Sequence, residues 1–303
     1  MAQIKLLKAT QLVEKTLPCT LKKFWVWFGV CFAFLACTLV GAGIGLIVYA
    51  FGLEISILAW VFSSAGFLIC GYFLMKLRGS IFVPLRAGHV KVLLEQMKKG
   101  AELDRKQQIQ LSENTATYHF GSVVKLAALE RSIRGVLTAI YSNRLQIKRF
   151  SFGNPYCERV LKLLVGIMTA SIAEVILAYA IRATKEKPVV SCKKALALYY
   201  QEVDAFTKPL WVMNLFTGLG WMFFIFMMLF PINWLTGMLP FSFGIWNVIF
   251  AMVFAWNFKA VILETISVAA FIPVFFETVD GKELDPETPS ALAELSTDFA
   301  NMK

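Results

Sequence analysis

Histidine is nearly missing from this chain: His89 and His119 are the two among 303 residues, and no HExxH pattern joins them. A zinc or haem site therefore lacks its usual ligands. The six cysteines, Cys19, Cys31, Cys37, Cys70, Cys157 and Cys192, contain no CxxC pair. Three lie in apolar runs, where a thiol behaves as a small hydrophobe, so neither a disulfide framework nor a metal knuckle is indicated. There is no GxSxG, no Walker loop, no close carboxylate pair in an apolar segment, and none of the aspartates of a lipid-head-group transferase. These are the minimal equipment of their reaction classes. The chain reads as non-enzymatic, with no catalytic residue, cofactor or metal ligand to assign.

The most informative absence is of positive charge. The chain holds 30 Lys and Arg, yet none falls in residues 24–75 and none in residues 209–258. Hydrophobic residues make up 58% of the whole, more than a soluble domain can bury while still covering itself with polar surface. The expected fold class is all-α: a polytopic integral membrane protein of two transmembrane hairpins with four crossings, a half-buried or re-entrant helix, and a helical cytoplasmic region. Hairpin 1 occupies residues 24–75, with legs at 24–52 and 55–75, and hairpin 2 occupies residues 209–276. Their outer turns hold no cation, so the positive-inside rule places both termini and the centre of the chain in the cytoplasm, most simply at a bacterial inner membrane. A net charge of +10 is then explained by anionic lipid or partner proteins on one face, without nucleic acid.

Residues 1–23 form a basic amphipathic leader with Lys5, Lys8, Lys15, Lys22 and Lys23, suited to lying on anionic lipid. Residues 76–158 form a basic helical region. Pro84 can open a helix that Gly100 closes. Residues 101–120 have little apolar periodicity and read as a solvated connection or a polar helix, and residues 122–141 recover helical spacing through Val123, Leu126, Ile133, Val136, Leu137 and Ile140. That last stretch fits an interfacial helix or a packed soluble one. Lys125, Arg131, Arg134, Lys148 and Arg149 are the candidate contacts of the basic region to anionic lipid or a partner.

Residues 159–208 carry the half-buried helix and an amphipathic linker. The run at 160–181 is long enough to span, but a full crossing would strand Arg182, Lys185, Lys187, Lys193, Lys194 and Lys208 outside. A re-entrant path avoids this; five crossings with an external C-terminal half is the alternative. Residues 277–303 form an acidic tail, in which Thr288-Pro289 can cap a terminal helix.

Within the spans, Gly41, Gly45 and Gly166 mark close helix packing. Lys259 and Glu264 sit in a long apolar run, where a charge costs roughly 2.5–3.5 kcal/mol on insertion scales. Five residues apart, they make a poor intrahelical pair. Lys259 can meet Glu174, and Glu264 can meet Lys162, as a packing network or as the lining of a solute route.

Lys259-Ala-Val-Ile-Leu-Glu264, continuing through Phe275-Phe276-Glu277-Thr278-Val279-Asp280-Gly281 to Asp285-Pro286-Glu287, resembles the C-terminal end of multi-pass bacterial membrane proteins of unassigned function. The apolar helix closing on an acidic residue and Asp-Gly also looks like the end of choline-transporter-like proteins, without that family's number of spans or its large outer loop. The first expectation is a non-enzymatic membrane subunit or scaffold whose basic region binds partner proteins or anionic lipid, within a homo- or hetero-oligomer. The second is a transporter, lipid-handling protein or channel component acting as an oligomer.

Overall fold

The computed structural model describes residues 5–50, 56–98, 103–151, 154–184, 186–238 and 244–302. Among them the chain is all-helical, with no strand. Among the described residues four helices are long and apolar enough to cross a membrane: Leu17–Val48, Ala59–Met97, Val203–Thr236 and Ile245–Val279. The described chain runs α1 (Leu6–Lys15), α2 (Leu17–Ala50), α3 (Ser56–Met97), α4 (Arg105–Phe120), α5 (Val123–Arg144), α6 (Ile147–Phe150) and α7 (Pro155–Met168). It continues as α8 (Ala170–Arg182), α9 (Pro188–Gln201), α10 (Val203–Thr236), α11 (Ile245–Phe258), a π turn (Lys259–Leu263), α12 (Glu264–Val279), α13 (Thr288–Leu295) and α14 (Thr297–Asn301). These elements fall into two compact units, residues 1–20, 79–217 and 264–303 in the first and residues 21–78 and 218–263 in the second.

The first unit is built around α5 and α8. Leu126, Ile133, Val136 and Leu137 of α5 and Ile172, Ala173, Val175 and Ile176 of α8 are fully buried. The apolar spacing seen at 122–141 therefore serves a core, and α5 packs on α4, α7, α8, α9 and α14. Around it, α12 packs on α8 and α1. The basic leader thus contributes a docked helix, with Ala9 and Val13 buried against its neighbours.

Polar α4 is anchored without an apolar stripe. Asp104 and Gln107 close a capping box at its start, and Gly88 of α3 lets the α4 backbone come so close that a Cβ there would lie 2.3 Å from the Ser112 carbonyl oxygen. Pro84 lies inside α3, so the helix does not restart there. Phe82, Val83, Ala87 and Val90, all buried on either side of it, hold the helix through the missing N–H.

The run at 160–181 is two helices bent by 49° at Thr169, and only the second is buried; counted as one span, the pair would make a fifth. The acidic tail folds back within the same unit. Arg182 bonds Asp280, Lys282 lies 2.6 Å from Glu202, and the Gln201 side chain accepts from the Asp285 N–H. Gly135 of α5 supplies the space that Asp298 occupies.

The second unit has an aromatic interior and an apolar exterior. Trp246 and Phe250 are buried among Leu35, Phe67, Ile232, Ile249 and Phe254, while Trp25, Phe32, Leu68, Phe73, Phe226 and Phe230 face outward. α2 and α3 touch backbone to backbone. A Cβ on Gly41 would sit 2.1 Å from the Phe62 carbonyl oxygen, and one on Gly66 would sit 2.2 Å from that of Cys37. Gly45 is buried as well. The π turn carries Leu263 onto Gly220, where a Cβ would meet it at 2.6 Å.

Gly41→Ala and Gly66→Ala should each destabilise the protein by on the order of 1–3 kcal/mol, because backbone cannot yield as a flexible side chain can. Gly43→Ala, with nothing within 4 Å, should be neutral or slightly stabilising. Thermal unfolding of the three variants in detergent checks this ordering.

Candidate functional site

The interior charges of the first unit gather at Arg86. It projects from α3 with its side chain 13% exposed, reaching Glu174 Oε1 of α8 at 3.4 Å through Nη1 and Glu130 Oε1 of α5 at 3.5 Å through Nη2. The Arg86 Nε–H also donates to the Phe82 carbonyl at 3.4 Å. On the other side of Glu130, the same Oε1 accepts from Arg134 Nε one helical turn further along α5. Glu264, at the start of α12, adds a further negative charge to the field acting on Arg86. Two guanidinium groups are thus set among carboxylates, and helices α3, α5 and α8 are cross-linked by one planar fork. Charge balance and multiple donors are what make such burial tolerable.

The expected charge residues take different partners. Glu174, paired above with Lys259 on paper, bonds Arg86. Lys162 lies 2.6 Å from Glu158, one turn away on the exposed side of α7. Lys259 opens the π turn with its amine 4.4 Å from the Trp256 ring centroid. Of the expected lipid or partner contacts, Lys125 and Arg131 are exposed on α5. Arg134 is drawn inward to Glu130, so its charge is spent inside the fold. The side chains of Lys148 and Arg149 lie outside the described residues. Gly166 of α7 approaches Thr138 of α5, where a Cβ would make ordinary contact at 3.9 Å.

Sequence reasoning passed over Arg86 and Glu130. Arg86 looked like one of the many cations that follow residue 75, and its buried apolar neighbours were the signal that it points inward. For Glu130 the signal was Arg134, four residues on, a spacing at which side chains meet on a helix.

A second polar feature is a groove of about 570 Å³ where α3 meets α4, lined by Lys91, Glu95, Asn114, Tyr118 and His119. Burial and the Lys91 charge push the His119 imidazole toward its neutral form. Among the described residues no group of three His, Cys, Asp or Glu is placed to hold a metal. Elsewhere in this unit the Tyr141 and Tyr199 hydroxyls share a hydrogen bond of 2.6 Å. Burial raises both phenols, Tyr199 well above the ordinary value of 10.0. The chain matches no protein-family model, no curated protein and no solved structure.

Glu130→Gln leaves both Arg86 and Arg134 without their shared carboxylate and should cost on the order of 3–5 kcal/mol. Lys162→Gln breaks an exposed pair and should change stability by less than about 0.5 kcal/mol. Thermal denaturation of the two variants side by side measures the contrast. The tyrosine pair also gives a pH dependence. Its protons are held more tightly in the folded chain, so the stabilisation is complete below the unfolded value of 10.0 and is lost as pH rises above it. A Tyr141→Phe/Tyr199→Phe variant should lose less stability between pH 9 and 11, by melting temperature, than the parent chain.

Proposed function

We propose that the chain is a non-enzymatic integral membrane subunit or scaffold, with four helices inserted as two hairpins and the first unit standing on the cytoplasmic side to bind anionic lipid or a partner protein. The observation that carries this reading is the partition of charge between the units. Of all the Lys and Arg, the second unit holds Lys22, Lys23, Lys76, Arg78 and Lys259, and the rest belong to the first. The second unit meanwhile turns large apolar side chains outward, which water disfavours and lipid accepts. Inside the first unit Arg86, Glu130, Arg134 and Glu174 are committed to one another, so they serve packing, while Lys125, Arg131 and Lys194 remain on its surface. A bacterial inner membrane with both termini inside fits this distribution.

A second reading, passage of a small solute through an oligomer, is favoured by the π turn. Asn257 is fully buried two residues before it, and neither atom of its amide has a hydrogen-bond partner among the described residues. π turns recur at functional sites, and an unsatisfied amide in apolar surroundings costs about 1–3 kcal/mol.

In a cysteine-free chain, Met238→Cys should react with a membrane-impermeant maleimide in intact cells, and Lys194→Cys should react only after permeabilisation. Labelling of Lys194→Cys in intact cells would establish the five-crossing arrangement instead. Native mass spectrometry should show retained anionic phospholipid that falls several-fold in the Lys125→Glu/Arg131→Glu variant. Unchanged retention, together with a solute flux in vesicles abolished by Asn257→Ala, would favour the transport reading.

A further inference from the structure

Helix α7 has two apolar faces, and the core uses one of them. Val165 is buried where α7 packs on α5. On the opposite face Tyr156, Val160, Leu163, Leu164 and Ile167 recur at the spacing of a single helical stripe, and all are exposed, Leu163 at 65% and Ile167 at 42%. Arg159 and Lys162 flank that stripe on one side and are exposed as well. Asn154 and Pro155 fix the start of the helix, with the Asn154 side chain accepting from the Tyr156 and Cys157 N–H groups.

The far end of α7 is tied to a candidate span. The Met168 carbonyl, one of the groups a helix C-terminus leaves without a partner, accepts a hydrogen bond of 3.2 Å from Asn214 Nδ2 of α10. Asn214 stands where α10 becomes continuously apolar, between the exposed Trp211 and Leu215. It belongs to a helix long and apolar enough to span. The end of α7 is therefore held beside the stretch of α10 where Trp211 and Leu215 are exposed.

We infer that α7 is an interfacial helix, lying in the head-group layer of a phospholipid bilayer with Tyr156, Val160, Leu163, Leu164 and Ile167 inserted, Arg159 directed to the lipid phosphates, and Lys162, paired with Glu158, on the water side. A strongly two-sided helix with basic residues beside its apolar stripe is the composition such helices need, and an amphipathic ring such as that of Tyr156 suits the boundary. The assignment rests on the membrane reading given above. It adds an inserted apolar stripe on α7 to the exposed cations of α5, Lys125 and Arg131.

The test uses the full chain in a cysteine-free background, with Val160→Cys, Leu163→Cys, Ile167→Cys, Lys162→Cys or Phe223→Cys. Each is spin-labelled and reconstituted into vesicles of phosphatidylcholine and phosphatidylglycerol. Labels at 160, 163 and 167 should collide several-fold more with oxygen than with a water-soluble nickel chelate, and the label at 162 should show the reverse. Chelate access at 160, 163 and 167 with oxygen access retained at Phe223 in α10 would overturn the inference and leave the membrane reading standing. Chelate access at Phe223 would overturn both. Spin–spin broadening between copies at 163 would overturn the inference in favour of a second copy of this chain on the stripe, and oxygen access at 162 equal to that at 163 would overturn it in favour of a helix immersed on all sides.

Discussion

A guanidinium that has left water must be met by carboxylates, and in this protein Arg86 imposes that constraint on three helices at once. Its fork fixes α3 against α5 through Glu130 and against α8 through Glu174. Glu130 in turn holds Arg134, so the cluster is closed on the α5 side by the helix's own geometry. An ion pair of this kind contributes little net stability compared with apolar packing of the same volume, but losing one member is expensive. That asymmetry makes it a device for register. α3, α5 and α8 can pack in many ways through Leu, Ile and Val, and in few that also satisfy both nitrogens of Arg86.

The rest of the first unit follows from that arrangement. With α5 and α8 fixed, α12 and α9 close the core, and the tail returns over it through Arg182–Asp280 and Lys282–Glu202. Much of the positive charge that suggests an electrostatic partner is thereby answered inside the chain. Exposed cations remain on α1, α4, α5, α7 and α9. The exposed apolar stripe of α7, like Trp211 and Leu215 at the start of α10, is a surface whose chemistry suits a bilayer better than water.

The four long apolar helices were legible because composition alone decides them: no cation interrupts residues 24–75 or 209–258, and hydropathy needs no partner to be read. Gly41 was legible for a similar reason, since a glycine among large apolar residues marks a close approach, although its counterpart Gly66 on the facing helix went unremarked. The charge cluster was only half legible. Glu174 stood out in an apolar run, but its partner came from 88 residues earlier, in a stretch that reads only as the start of a basic helix, and pairing between distant segments leaves no periodic trace. Helix α4 was legible only as one of two readings, a polar helix or a solvated connection, because the groups it buries, Ser112 at Gly88 and also Thr115 and Ala116, are small and carry no hydrophobic pattern. The break at Thr169 was hidden because the apolar run passes through the bend unchanged.

The claim that the Arg86 cluster exists for packing is tested most directly by removing all of it at once. In a quadruple variant, Arg86→Met/Glu130→Leu/Arg134→Met/Glu174→Leu, the melting temperature in detergent should equal or exceed that of the parent chain and lie well above that of any single replacement, because apolar side chains of similar volume remove the charges together. A quadruple variant that melts as low as the sum of its single losses would contradict the account, and so would one that folds as the parent does yet no longer supports a solute flux measured for the parent.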